Sequence, residues 1–395
     1  MCPSFRTIVI TVCALWLSVS VQAQQAPVSP TVTSADRAYF ERFIKIAEPE
    51  GPRRPDRLPQ YIEFFKREMI NDVRLFAFDV QVEPHADGQI VVRGYVEFEE
   101  NRSALIKYLR CLGFDRVDDR TEVLPSEDLG PRQFGFVKAA HSLSFDRPSA
   151  QSEVVSDCLL GSPLYLLKEM EEGYYLCHSD EGYVGYVAAN DVHRVDAKQF
   201  ARYVNGPRMF VRKDWEASET RLLPVGSRLK CAGREQDNSI VELPTGERVA
   251  IPNDRCEIHD GNTNGRVERI LDNAQGLLGT GYLWGGKTSQ GVDCSGLVQV
   301  AFGAEGFNLP RDSNQQVYLG ALVGTRWYRQ GLRPGDTLYF LGRHGKIRHT
   351  GIYQGNGKYI ESVRPAVQIT SFNPEDEDYN ARRAASFAFA KRLLD

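Results

Sequence analysis

One stretch constrains this chain more than any other: Gly281 to Val298, Gly-Tyr-Leu-Trp-Gly-Gly-Lys-Thr-Ser-Gln-Gly-Val-Asp-Cys-Ser-Gly-Leu-Val. Its glycine-rich turn runs straight into Leu297, Val298, Val300, Ala301 and Phe302, an apolar run that predicts a buried helix. Cys294 then sits at the start of that helix. Free backbone N–H groups and the positive end of the helix dipole favour a thiolate there, so the expectation is a thiol that titrates below its free value of ~8.5. The same N–H groups suit a tetrahedral oxyanion.

A nucleophile needs a base, and His349 supplies one. It opens His-Thr-Gly-Ile-Tyr-Gln-Gly-Asn-Gly-Lys-Tyr-Ile-Glu, which predicts a strand, a Gly355-Asn356-Gly357 turn and a second strand. The hairpin brings Glu361 next to His349, and a carboxylate beside an imidazole fixes its tautomer. A lone cysteine is more often an inert small hydrophobe, and a lone histidine more often structural. Glycine turn, helix start, distant His and third polar group together outweigh that bland reading.

Five blocks carry a resemblance: Tyr282-Leu-Trp-Gly-Gly, Asp293-Cys294-Ser295-Gly296, Pro310-Arg311-Asp312-Ser313, Leu332-Arg-Pro-Gly-Asp336 and His349-Thr-Gly-Ile-Tyr. In order and spacing they resemble the NlpC-type family of papain-like cysteine peptidases that cut bacterial cell-wall peptides. The match spans about Asn264 to Leu394. The family's third polar residue is usually a His; Glu361 stands there in this chain, a variant triad of Cys294, His349 and Glu361. The resemblance implies further site residues. Tyr282 matches a position in the active-site wall or oxyanion hole, and Glu153 and Tyr183 match a Glu and a Tyr that close the substrate end. A free N-terminal amine in a partly dry groove needs carboxylates, which Asp293 and Glu153 offer, with Ser295 and Tyr183 completing the pocket. Asp312 and Ser313 have two readings, substrate contact or helix N-cap. Arg311 reads by default as a solvated side chain.

The rest of the chain is read in order. Residues 1–23 read as a secretory signal peptide, with Arg6, an apolar run too short to span a bilayer, and Val21-Gln22-Ala23 as the cleavage site. A Pro/Ser/Thr-rich flexible leader follows over 24–34, and no other segment reads as a membrane span. Residues 35–130 predict a small α+β unit, faintly resembling BON-type domains, with His85 as a solvated loop residue. Short, evenly punctuated strands over 131–197 and 198–260 predict two small barrels that resemble bacterial SH3-like domains. Residues 261–395 form the NlpC-type domain. The fold class is thus multi-domain α+β, with a papain-like catalytic domain after two SH3-like barrels and an amino-terminal α+β unit.

A formal charge of -4 and a pI near 6.1 exclude a broad basic field, so nucleic acid is not an expected partner. No His/Cys/Asp cluster has zinc-ligand spacing, and neither metal nor cofactor is expected. Beyond the leader stand Cys111, Cys158, Cys177, Cys231, Cys256 and Cys294. Export permits disulfides, and Cys158/Cys177 and Cys231/Cys256 each fall within one barrel, but connectivity is not legible.

The expected function is an exported, periplasmic or secreted, cysteine peptidase. Its substrates are peptidoglycan stem peptides or muropeptides, cut between γ-D-glutamate and the diamino acid, with a free L-Ala end. The rival is a wall-binding protein whose catalytic site is inactivated by the Glu361 change; a third reading is another amidase or acyltransferase on the same scaffold. The diamino acid and the oligomeric state stay open.

Overall fold

The computed structural model describes residues 30–49, 51, 54–258 and 265–394. The leader assigned to residues 1–23 lies outside them. The architecture is multi-domain α+β, and among the described residues no helix is long and apolar enough to cross a membrane.

The amino-terminal unit packs three helices on a three-stranded sheet. Helix Ser34–Ala47 starts at Thr33, whose hydroxyl and Asp36 form a reciprocal capping box. Helix Leu58–Met69 buries Leu58, Tyr61, Ile62 and Phe65, the spacing of one helical face. In the sheet, Phe78–Pro84 pairs antiparallel with Ile90–Val96, and Val117–Val123 returns parallel to it after helix Glu99–Cys111. His85 is exposed between the first two strands, as expected.

A seven-stranded sheet occupies residues 134–195 and a five-stranded one residues 208–258. Each has its own apolar core, one around Val137, Leu164, Leu166 and Val187, the other around Leu223, Leu229, Val241 and Ile251. Among the described residues all six cysteines are free thiols, and Cys158 and Cys177 simply join the first of these cores. The connectivity that the sequence left open thus has no bond within either β unit. Small buried sulfurs here act as hydrophobes.

The carboxy-terminal unit has helices Arg266–Gln275 and Cys294–Gly303 on a six-stranded antiparallel sheet, with strands in the order 321–325, 387–392, 337–341, 347–355, 358–362 and 367–371. The cysteine helix is apolar all round and buried, with Leu297, Val298, Ala301 and Phe302 fully covered. Gly296 is required where this helix crosses the glycine turn, because a Cβ there would stand 2.2 Å from the Gly286 carbonyl oxygen.

The other units grip the catalytic unit near that turn. Strand Val154–Leu159 of the first β unit lies against residues 285–288: Val154 packs on Gly285, Asp157 accepts from the Lys287 N–H at 3.2 Å, and buried Glu181 pairs with Lys287 at 2.8 Å. The second β unit contributes Asp214 to Ser289 and Arg228 to the Phe307 carbonyl. The amino-terminal unit reaches the first β unit through Tyr95–Tyr186 and Glu97–His178.

Candidate active site

Asp293 is the N-cap of the cysteine helix. Its carboxylate accepts from the Gly296 N–H at 2.7 Å and the Gly285 N–H at 2.9 Å, which ties helix to turn. Arg311 then closes on it with two nitrogens, at 2.5 and 3.2 Å, and gives a third bond to Ser295 Oγ at 2.8 Å. Arg311 is only 1% exposed. One expectation is corrected by this cluster. Arg311 is a buried partner and no solvated side chain, and it pairs with Asp293 and Ser295, the residues expected near a substrate amine. The guanidinium and two N–H groups hold the Asp293 carboxyl below its ordinary range despite burial.

Cys294 sits one residue on, buried, with the Thr350 and Ser295 N–H groups directed at its sulfur. Burial, and then the Asp293 carboxylate, nevertheless push the thiol up to about 12. The expected depressed thiol is thus overturned: desolvation disfavours the anion by more than the helix start favours it. Burial also moves His349 below its usual value. Burial thus disfavours the charged form of both groups.

The hairpin places His349. Ile352 pairs with Ile360, so Glu361 falls opposite Gly351 and His349 lies two residues along on the same face. Without a side chain at Gly351 the two functional groups meet, His349 Nε2 to Glu361 Oε2 at 2.5 Å. Glu361 is 1% exposed, accepts from the Thr370 hydroxyl at 2.7 Å and pairs with Arg383 at 2.9 Å. Burial raises its carboxyl, yet His349 and Arg383 outweigh that and keep it below the ordinary range. With Nε2 held by Glu361, Nδ1 is the ring nitrogen left for the thiol. Tyr282 stands near enough for the Cys294 charge to raise its phenol after burial does, and the Arg364 guanidinium lies 5.7 Å over its ring.

Residues 279–384 match the NlpC/P60 family, across this whole constellation. These residues form an NlpC/P60 domain. The gamma-D-glutamyl-L-lysine dipeptidyl-peptidase of Bacillus subtilis is 34% identical over 159 residues, 40% of this chain and 50% of the relative. The chain thus spans half the length of that relative. Dipeptidyl-peptidase 6 of Lysinibacillus sphaericus is 26% identical over 251 residues, 60% of this chain and 89% of the relative. In fold, an NlpC/P60 family protein from Bacillus cereus superposes with a TM-score of 0.56 at 20% identity, covering 66% of this chain and 100% of that one.

The remaining expected residues are Tyr183, Asp312, Ser313 and Glu153. Tyr183, in the first β unit, donates to Asp312 Oδ2 at 2.8 Å and to Gln315 at 3.1 Å. Asp312 precedes helix Ser313–Gln316 and makes no side-chain cap there, so its carboxylate is turned outward from the helix. The same Oδ2 binds Arg74 of the amino-terminal unit, which also lies over the Tyr183 ring. Oδ1 has no partner among the described residues. Ser313 is buried. Glu153 is exposed, with no side-chain partner among the described residues; the acid this β unit buries against the domain is Glu181, hydrogen-bonded to Ser156, Lys287 and Gln299. Sequence reasoning missed Arg74, Glu181, Thr370 and Arg383. Only Thr370 had a signal, a polar residue on the strand next to Glu361.

Proposed function

We propose that this chain is an exported cysteine peptidase that hydrolyses the bond between γ-D-glutamate and the following diamino acid in peptidoglycan stem peptides. The observation that carries the reading is the Cys294, His349 and Glu361 arrangement inside an NlpC/P60 domain. His349 Nδ1 takes the thiol proton as Cys294 Sγ attacks the γ-carbonyl carbon. The oxyanion forms close to the Ser295 N–H and the Tyr282 hydroxyl. His349 returns the proton to the leaving amine, and the C–N bond breaks to give a thioester. Water then attacks with His349 again as base, releasing the acid and the thiol.

Asp312 and Tyr183 support a free N-terminal amine at the acyl end, since Oδ1 of Asp312 is open to an ammonium. The first β unit, proposed with the second as SH3-like, and the amino-terminal unit frame that end through Tyr183 and Arg74 and limit how long the acyl part is. The curated relatives named for γ-D-glutamyl and dipeptidyl activities agree with this reading.

The test is incubation of the purified protein with L-Ala-γ-D-Glu-meso-diaminopimelate and its N-acetylated form. The expected result is cleavage of the first, weak cleavage of the second, and none by Cys294→Ala. Binding without cleavage points to the wall-binding alternative.

A further inference from the structure

A cavity of about 720 Å³ has Tyr282, His349 and Glu361 in its wall. Its remaining charge is one-sided. Arg343, Arg348, Arg364 and Arg382 line it, and none of their guanidiniums has a carboxylate partner among the described residues. Glu361 does not neutralise them, because His349, Thr370 and Arg383 already hold its two oxygens. The chain as a whole carries a formal charge of -4, and Arg57, Arg74, Arg102, Arg212 and Arg311 are each paired with an acid. Trp284, 49% exposed, adds an apolar face to the same cavity.

The chemistry says which part of a substrate comes here. His349 must hand its proton to the leaving amine, so the space beside the imidazole belongs to the leaving group. We infer that this cavity is a carboxylate-binding subsite for the leaving diamino acid. It takes an amino acid that carries a carboxylate at the end of its side chain, and it disfavours lysine, whose side chain ends in a bare ammonium. Guanidiniums bind carboxylates through paired N–H donors, and a like charge brought against them is repelled. This inference rests on the proposed peptidase reading for the identity of the leaving group; the anion site itself rests on the arginines.

Two measurements separate the claims. Binding of L-Ala-γ-D-Glu-meso-diaminopimelate and L-Ala-γ-D-Glu-L-Lys to full-length Cys294→Ala protein reads the subsite without turnover. The expected result is a diaminopimelate preference of ~10-fold or more at low salt, shrinking as salt rises. In Cys294→Ala/Arg348→Gln/Arg382→Gln protein that preference should collapse to ~2-fold or less, while the lysine peptide binds as before. Equal affinity for the two peptides, or a preference untouched by the arginine changes, overturns the inference. Hydrolysis by the wild type is scored apart: selective binding with no cleavage of either peptide leaves the subsite standing and removes the peptidase reading, whereas cleavage of both peptides at one rate does the reverse.

Discussion

Two buried carboxylates serve the site, and each holds a nitrogen partner at 2.5 Å: Asp293 holds Arg311, and Glu361 holds His349. Geometry and burial are alike; the partners differ in one property. A guanidinium does not give up its proton at any working pH, so the Asp293 pair is a fixed clamp between turn, helix and Arg311. An imidazole does, so the Glu361 pair steers a proton. A carboxylate next to the nucleophile in sequence is scaffolding here, and the one on a distant strand is machinery.

Breaking the clamp should have the largest effect. Arg311→Met leaves Asp293 buried and uncompensated, a loss on the order of 3–5 kcal/mol. Thermal denaturation should show a clearly lower Tm, with activity falling because Cys294 moves. A Tm within a degree of wild type would mean that the clamp carries no load.

Next comes Glu361→Ala, which should lower Tm less than Arg311→Met does and lower kcat by ~10–1,000-fold, less than the ~10⁴ of the serine-protease triad, where the third member matters more. Glu361→His should keep substantial activity. If kcat for Glu361→Ala stays within twofold of wild type, the carboxylate is not part of the machinery.

A pH profile sharpens the contrast further. His349 lies below its ordinary value of 6.5, pushed by burial and by Arg383 and opposed by Glu361. Catalysis needs the neutral ring, so kcat/KM should fall only as pH drops below 6.5. Glu361→Gln removes support for the imidazolium and should shift that acid limb to lower pH. Arg383→Gln removes a repelling cation and should shift it to higher pH. Limbs that move in the same direction in both variants contradict the assigned partners.

The smallest effect is expected at Arg74, whose pair with Asp312 is about one-third exposed. Arg74→Ala should change stability by less than ~1 kcal/mol. By freeing Asp312 Oδ2 it should lower KM for a free-amine peptide ~2–5-fold while leaving the N-acetylated peptide unaffected. A rise in KM shows that Arg74 helps to build the amine end.

Much of this was legible in the sequence. Cys294, His349 and Glu361 stand in local patterns, a glycine turn before a helix and a hairpin with a Gly-Asn-Gly turn, and such patterns report backbone direction. The α+β character expected of residues 35–130 followed from hydrophobic period in the same way. What escaped were pairings between remote elements. Arg311, Glu181 and Arg383 each look like an ordinary surface charge until the fold brings Asp293, Lys287 and Glu361 to them. Burial escaped too, and it reversed the sign of the Cys294 shift, because desolvation depends on what packs over a sulfur and not on its neighbours in the chain.

A buried thiol has a life outside catalysis. Peroxide and disulfides attack the thiolate, and their rates follow its population. Burial pushes the Cys294 thiol up, and at 7% exposure the same covering that excludes water also narrows the path of any oxidant to the sulfur.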